Sequence, residues 1–227
     1  MKQKFTILFD LDGTLVDTAP DLMLAHNHVM KKFGYPTKTT EDIRNLVGQG
    51  AGVLIGRSIW GQAKKEFNKV KDESTKSKMT NEFIDYYGKN ILNKSTLIKG
   101  VKDFLIWCKN QKISMAVCTN KTEHLAIDLL KKIQIYDFFE YVAGYNTFEY
   151  CKPDPRHLTS VLEILDGDIK KSIMIGDSES DANAARNAGI PIILLEDGYT
   201  EKNTAEIYHN HLVKDFVGIE KIISKYL

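Results

Sequence analysis

The sequence predicts an α/β fold in which a parallel sheet is covered by helices on both faces and interrupted early by an all-helical insertion. Three observations predict it. Four short apolar runs, 4–9, 113–118, 172–176 and 190–195, read as buried strands, and the first three stop abruptly at polar residues. Between and after them lie amphipathic helical patterns at 101–111, 123–133, 155–165 and 180–188, and such β/α alternation specifies parallel strands. The segment 18–95 contains only helical patterns, at 20–33, 41–47, 51–67 and 73–92, with no strand of comparable quality. The expected organisation is a core of 1–17 and 96–227 and a helical cap of 18–95.

Each run has a local reason. K-F-T-I-L-F at 4–9 is β-rich and ends in D-L-D-G-T, where acidic residues and Gly13 signal a turn. I-S-M-A-V-C at 113–118 runs into Thr119 and Asn120, and S-I-M-I-G at 172–176 runs into Asp177. The fourth run follows A-A-R-N-A-G, a helix end closed by glycine. In open parallel sheets ligands bind beyond the carboxyl ends of the strands, which is where these polar residues fall.

Composition narrows the function classes. The 227 residues carry 31 Lys+Arg against 30 Asp+Glu, a formal charge of +1, which gives no support for nucleic-acid binding through bulk charge. With 43% hydrophobic and 27% charged residues the chain can bury a core. The run 5–9 is broken by Asp10 and Asp12 too soon for a signal sequence, and no stretch reaches the ~18 apolar residues of a membrane span. Cys108, Cys118 and Cys151 include no C-x-x-C pair and read as free thiols in a reducing compartment, so a cytoplasmic location without membrane contact is expected. Six lysines between 64 and 78 are interspersed with Glu66, Asp72 and Glu73, the pattern of a solvated helix face.

Chemistry concentrates at the strand ends. Asp10 and Asp12 stand two apart; one carboxylate can attack phosphorus and form an acyl-phosphate while the other moves protons. In isolation the same D-x-D-G is an acidic turn. Asp177 and Asp181 follow a different strand, and carboxylates from separate strand ends suit Mg²⁺, a hard cation that prefers oxygen. The same two residues also suit a helix N-terminus, and the two roles are compatible. Thr119 and Asn120 offer a hydroxyl and an amide to a phosphoryl oxygen, and Lys152, between Cys151 and Pro153, offers a fixed positive charge.

Taken in order, D-L-D-G-T-L-V-D-T at 10–18, T-N-K at 119–121, K-P-D-P at 152–155 and G-D-S-E-S-D-A-N-A-A-R-N-A-G at 176–189 resemble the haloacid dehalogenase superfamily in its phosphatase branch. The resemblance implies a Rossmann-like core with a cap inserted after the first motif. It implies that Asp10 is nucleophile and Mg²⁺ ligand, and that Asp12 is general acid/base and binds Mg²⁺ through its backbone carbonyl. It further implies Thr119 and Asn120 as phosphate binders, Lys152 as charge stabiliser, Asp177 as Mg²⁺ ligand and Asp181 as support to the metal. Asp12 argues against dehalogenase and phosphonate-hydrolase chemistry, where this second acid is not expected.

L-V-D-T-A-P-D-L at 15–22, V-G-Q-G-A-G-V-L at 47–54 and A-A-R-N-A-G-I-P at 184–191 are most similar to phosphoglycolate phosphatases. A small phosphorylated metabolite, phosphoglycolate first, is the implied substrate; a sugar phosphate, a nucleotide, pyrophosphate, a phosphomutase reaction or a non-catalytic binding role are the alternatives. The chain departs from that pattern at Thr122, Asn146, Phe148, Glu149 and D-G-Y-T at 197–200. In the cap, Gly48 and Gly50 either bring backbone N–H groups close to an anion or form a helix-entry turn. Arg57 either pairs with a substrate carboxylate or lies on the surface. His209 and His211 read as a polar surface segment, His26 and His28 as opposite faces of one helix, and Trp60 and Trp107 as core. Hinges are expected at 17–20 and 90–99, and a monomer or homodimer is compatible with the sequence.

Overall fold

A computed structural model describes residues 4–60 and 69–227. Six parallel strands form one sheet: β1 (Thr6–Phe9), β4 (Ser114–Cys118), β5 (Tyr141–Ala143), β6 (Ser172–Gly176), β7 (Ile192–Leu195) and β8 (His211–Val213), in the spatial order β5-β4-β1-β6-β7-β8. β1 is central, with Thr6 opposite Ser114 on one side and Ser172 on the other. All its residues are buried, which is why the run is continuously apolar after Thr6. Alternation divides the core in two. Ile7, Phe9, Met115, Val117, Ile173 and Ile175 face one cluster, which takes in α5 (Val101–Asn110), α6 (Glu123–Lys132) and α9 (Ile219–Ile223). Leu8, Ala116, Cys118 and Met174 face the other, against α7 (Arg156–Ile164) and α8 (Glu179–Ala188).

Between β1 and β4 the chain makes an excursion. A two-residue ribbon pairs β2 (Val16–Asp17) with β3 (Thr96–Leu97), Val16 opposite Leu97 and Asp17 opposite Thr96. The chain thus departs and returns side by side, and between these points lie α1 (Ala19–Phe33), α2 (Thr40–Arg44), α3 (Ala51–Trp60) and α4 (Lys69–Lys89). Proline in its first turn starts α1 and left-handed Gly34 ends it, while a Thr39/Asp42 capping box starts α2. Leu22, Ala25 and Val29 of α1 and Met79, Phe83 and Tyr87 of α4 are buried in the same cluster as one sheet face. Asp21 closes the return. Its buried carboxylate accepts hydrogen bonds from the backbone N–H groups of Asn93, Lys94 and Ser95 and from the Ser95 hydroxyl, at 2.6–3.0 Å.

The expected strands and helices are present, trimmed at their ends. The run 190–195 begins its strand only at Ile192, because Ile190 N–H is bonded to Ala185 at the end of α8 and Pro191 has no N–H to give. The helix expected at 41–47 stops at Arg44. Residues 61–67 of the helix expected at 51–67, with Lys64, Lys65 and Glu66 of the charge run, lie outside the described residues. β5 and β8, the short ribbon and α9 had no counterpart in the sequence reading. His26 is buried with Nε2 2.8 Å from the Ser58 hydroxyl, whereas His28 stacks on Tyr86, so the two do lie on different faces. Trp107 is partly buried against the core, and His211 meets the Tyr226 hydroxyl. No described helix is long and apolar enough to cross a membrane.

Candidate active site

Three adjacent strands deliver the site. Asp10, Thr119 and Asp177 each follow directly after the last residue of β1, β4 and β6, so the parallel register brings them to one edge of the sheet. Two glycines allow the closeness. Gly13 has φ +82°, and a Cβ there would collide with the Asp177 carboxylate; a Cβ on Gly176 would collide with Asp181. The capping box Ser178/Asp181 starts α8, and it turns Asp181 back into the site instead of out to solvent.

The Asp10, Asp177 and Asp181 carboxylates each place an oxygen within 4.8 Å of the others, all buried. One cation lies among them: Lys152 Nζ is 2.8 Å from Asp10 Oδ1 and 2.6 Å from Asp181 Oδ1. Asp181 is otherwise saturated, since its Oδ2 accepts from the N–H groups of Asp177 and Ser178 and from the Ser178 hydroxyl. Asp177 has only neutral donors, Thr14 Oγ1 at 3.0 Å and Tyr199 N–H at 2.7 Å. Three carboxylates against one ammonium leave the cluster short of positive charge. Burial accordingly pushes Asp10 up to about 6 in spite of Lys152, and drives Asp177 upward, with Asp181 and Asp10 adding to it. Burial works against the charged form of Lys152, but Asp10 and Asp181 outweigh it and hold its pKa above the usual lysine value. A deficit of positive charge among hard oxygen donors is what a divalent cation such as Mg²⁺ fits.

Asp12 is separate from this cluster. Its Oδ1 accepts from the Thr18 hydroxyl at 2.8 Å, and Lys121 Nζ lies 2.8 and 2.9 Å from its two oxygens. The Lys121 ammonium also sits 3.1 Å from the Tyr87 hydroxyl, brought by α4, and 4.5 Å from the centre of that ring. Asp10, Asp12, Thr119, Asn120, Lys121 and Lys152 all line one cavity of about 580 Å³, closed on its other side by the 47–54 segment and α4.

The remaining sequence candidates fall differently. Asn120 gives its amide hydrogens to the carbonyls of Gly48 (3.0 Å) and Lys152 (2.9 Å), so its side chain bridges two loops and is not free to donate to a ligand. Gly48 and Gly50 have φ of +105° and +86° and line the cavity, but Gly48 offers its carbonyl inward, to Asn120, where an approach by N–H groups was one of the two readings. Arg57 does not line the cavity; its guanidinium is 3.7 Å from Glu201. Lys121, Thr14, Thr18 and Tyr199 were passed over by the sequence reading. The first three stand inside the quoted motifs, and Tyr199 follows Gly198, where a Cβ would collide with the Asp177 carbonyl oxygen.

Residues 7–195 match the family model described as haloacid dehalogenase-like hydrolase, and the chain belongs to that family. Among its relatives, a phosphoglycolate phosphatase of Agrobacterium fabrum is 38% identical over 96% of this chain and 94% of its own length. One of Caulobacter vibrioides is 36% identical over 95% of this chain and 89% of its own. A crystal structure of a predicted phosphoglycolate phosphatase from Haemophilus somnus superposes with a TM-score of 0.88 at 32% identity, covering 98% of this chain and 99% of that one.

Proposed function

We propose that this protein is a Mg²⁺-dependent phosphomonoester hydrolase that works through an aspartyl-phosphate, with phosphoglycolate as its substrate. The observation that carries the reading is the buried Asp10–Asp177–Asp181 cluster around a single lysine, opening on a cavity that also holds Asp12. The relatives named as phosphoglycolate phosphatases support the choice of substrate. The domain division follows: 1–17 and 96–227 form the catalytic core, 18–95 the cap, and the paired linkers β2 and β3 the hinge.

In this reading Asp10 attacks phosphorus, and Lys152 holds the attacking oxygen in place and offsets charge at the phosphoryl group. Asp10 and Asp177 would hold Mg²⁺, with the Asp12 backbone carbonyl as a further ligand and Asp181 as support. The ion supplies positive charge that lets a dianionic ester approach a carboxylate and stabilises the transition state. Thr119, which lines the cavity, binds a phosphoryl oxygen through its hydroxyl, and Asn120 acts by fixing the loops around it. Asp12 gives its proton to the departing ester oxygen and later takes one from the water that cleaves the acyl-phosphate. Enclosure by the cap keeps stray water from the acyl-phosphate.

Phosphate release from a panel of phosphorylated metabolites, with Mg²⁺ and with chelator, tests this. Preference for phosphoglycolate with Mg²⁺ supports the whole reading. Preference for a sugar phosphate or nucleotide discards the substrate and keeps the chemistry, and no release from any ester discards both.

A further inference from the structure

Lys121 has no part in the roles above, yet it is among the most constrained cations in the molecule. Its side chain is 5% exposed, and burying an ammonium is costly unless it is paired and hydrogen-bonded. The pairing is divided evenly between the two reactive carboxylates: Lys152 contacts Asp10, and Lys121 contacts Asp12. The two lysines come from different loops, Lys121 just after β4 and Lys152 in the turn before α7. Lys121 reaches both oxygens of Asp12, while Thr18 binds Oδ1. A carboxylate held at both oxygens cannot turn about its Cβ–Cγ bond. The remaining donor capacity of the ammonium faces Tyr87, on the helix that walls the cavity opposite the nucleophile.

We infer that Lys121, steadied by Tyr87, is a positioning residue for Asp12, fixing that carboxyl over the place from which the ester oxygen departs. The inference rests on the phosphomonoesterase reading. Its physical content is geometric: proton delivery to a leaving oxygen requires approach within hydrogen-bond distance, and a carboxyl free to swing loses that approach in most of its orientations. Since α4 carries Tyr87, the acid is complete only when α4 lies against the core as it does in this structure.

Such a role has a signature that simple damage to the fold lacks. An alkyl ester such as phosphoglycolate needs a proton on its departing oxygen, whereas p-nitrophenolate leaves unaided. Lys121→Met in the full Mg²⁺-loaded protein is therefore expected to lower the first-turnover rate of ester cleavage on phosphoglycolate or ethyl phosphate by about 100-fold, the lower range for general acid catalysis. On p-nitrophenyl phosphate the first-turnover release of p-nitrophenolate stays within about threefold of the unsubstituted protein on the same account, while steady turnover of either ester type falls because Asp12 also activates the water that cleaves the acyl-phosphate. Tyr87→Phe, which removes one hydroxyl, shows the same direction to a smaller extent, and Lys121→Arg restores part of the alkyl rate. Equal first-turnover losses on both ester types, or no loss on the alkyl esters, would overturn the role of Lys121 while leaving the phosphatase reading intact. An unsubstituted protein that hydrolyses neither ester type overturns that reading and this inference with it. If Lys121→Met does not fold, the alkyl-to-aryl ratio of first-turnover rates in Tyr87→Phe decides, and an unchanged ratio counts against the inference.

Discussion

Asp21→Ala should loosen the junction where the helical excursion returns to the sheet, and the size of the effect follows from its four donors. Asn93 and Lys94 are exposed, so their N–H groups rehydrate and each lost bond costs about 1 kcal/mol. Ser95 is buried, and its N–H and hydroxyl would be left dry at about 1–3 kcal/mol apiece, less whatever a water admitted to the vacated space recovers. The sum is on the order of 4 kcal/mol. With a urea dependence of about 2–3 kcal/mol per molar for a chain of this size, the unfolding midpoint should fall by about 1.5 M. Asp21→Asn keeps an oxygen where all four donors point, its amide group replacing Oδ1, which only the Lys94 N–H shares, and should lose clearly less than Asp21→Ala. Urea unfolding followed by far-UV circular dichroism and tryptophan fluorescence is the assay, both Trp60 and Trp107 reporting. A shift below about 0.3 M for Asp21→Ala would show that the 93–95 turn does not depend on this carboxylate.

Further outcomes are expected elsewhere. Lys152→Met leaves three buried carboxylates without a cation, so chelator-treated protein should lose about 3–5 kcal/mol of stability and Mg²⁺ should return part of it; identical melting with and without Mg²⁺ would count against a metal at this cluster. His157 is buried, neither ring nitrogen makes a well-aligned hydrogen bond, and burial together with Lys152 lowers its imidazole to about 4. Because the unfolded chain takes up that proton first, stability should fall as pH drops from about 6.5 to 4 and level off below, by about 3 kcal/mol from this residue. His157→Phe should flatten that stretch of a stability-against-pH curve, and an unaltered slope would refute the assignment.

The sequence made the buried parts of the fold legible and hid the edges for a physical reason. β1, β4, β6 and β7 are covered on both faces, so their residues must be apolar in continuous runs. β5 and β8 are outer strands of three residues, and Tyr141 and all of β8 are only half-buried, so no run of that kind marks them. The ribbon of Val16–Asp17 with Thr96–Leu97 is a pairing across the whole helical excursion, which local pattern cannot reveal. In the site, Asp10 and Asp177 were legible because each stands at a strand end, Asp181 because it opens the helix that follows, and Lys152 from its Pro-bounded turn, and the structure brings all four together. The bridging of the Asn120 amide was not legible, because its partners, the Gly48 and Lys152 carbonyls, come from loops distant in sequence. Lys121 was overlooked for a related reason: a lysine after a turn looks solvated until Asp12 and Tyr87 are seen to close over it.

The most direct test is to stop turnover of phosphoglycolate with acid, in the presence of Mg²⁺, and weigh the protein and its peptides. One phosphoryl group on the peptide carrying Asp10, absent from Asp10→Asn along with phosphate release, is the predicted result. Steady phosphate release with no phosphoryl group on that peptide, or with Asp10→Asn fully active, would contradict the account.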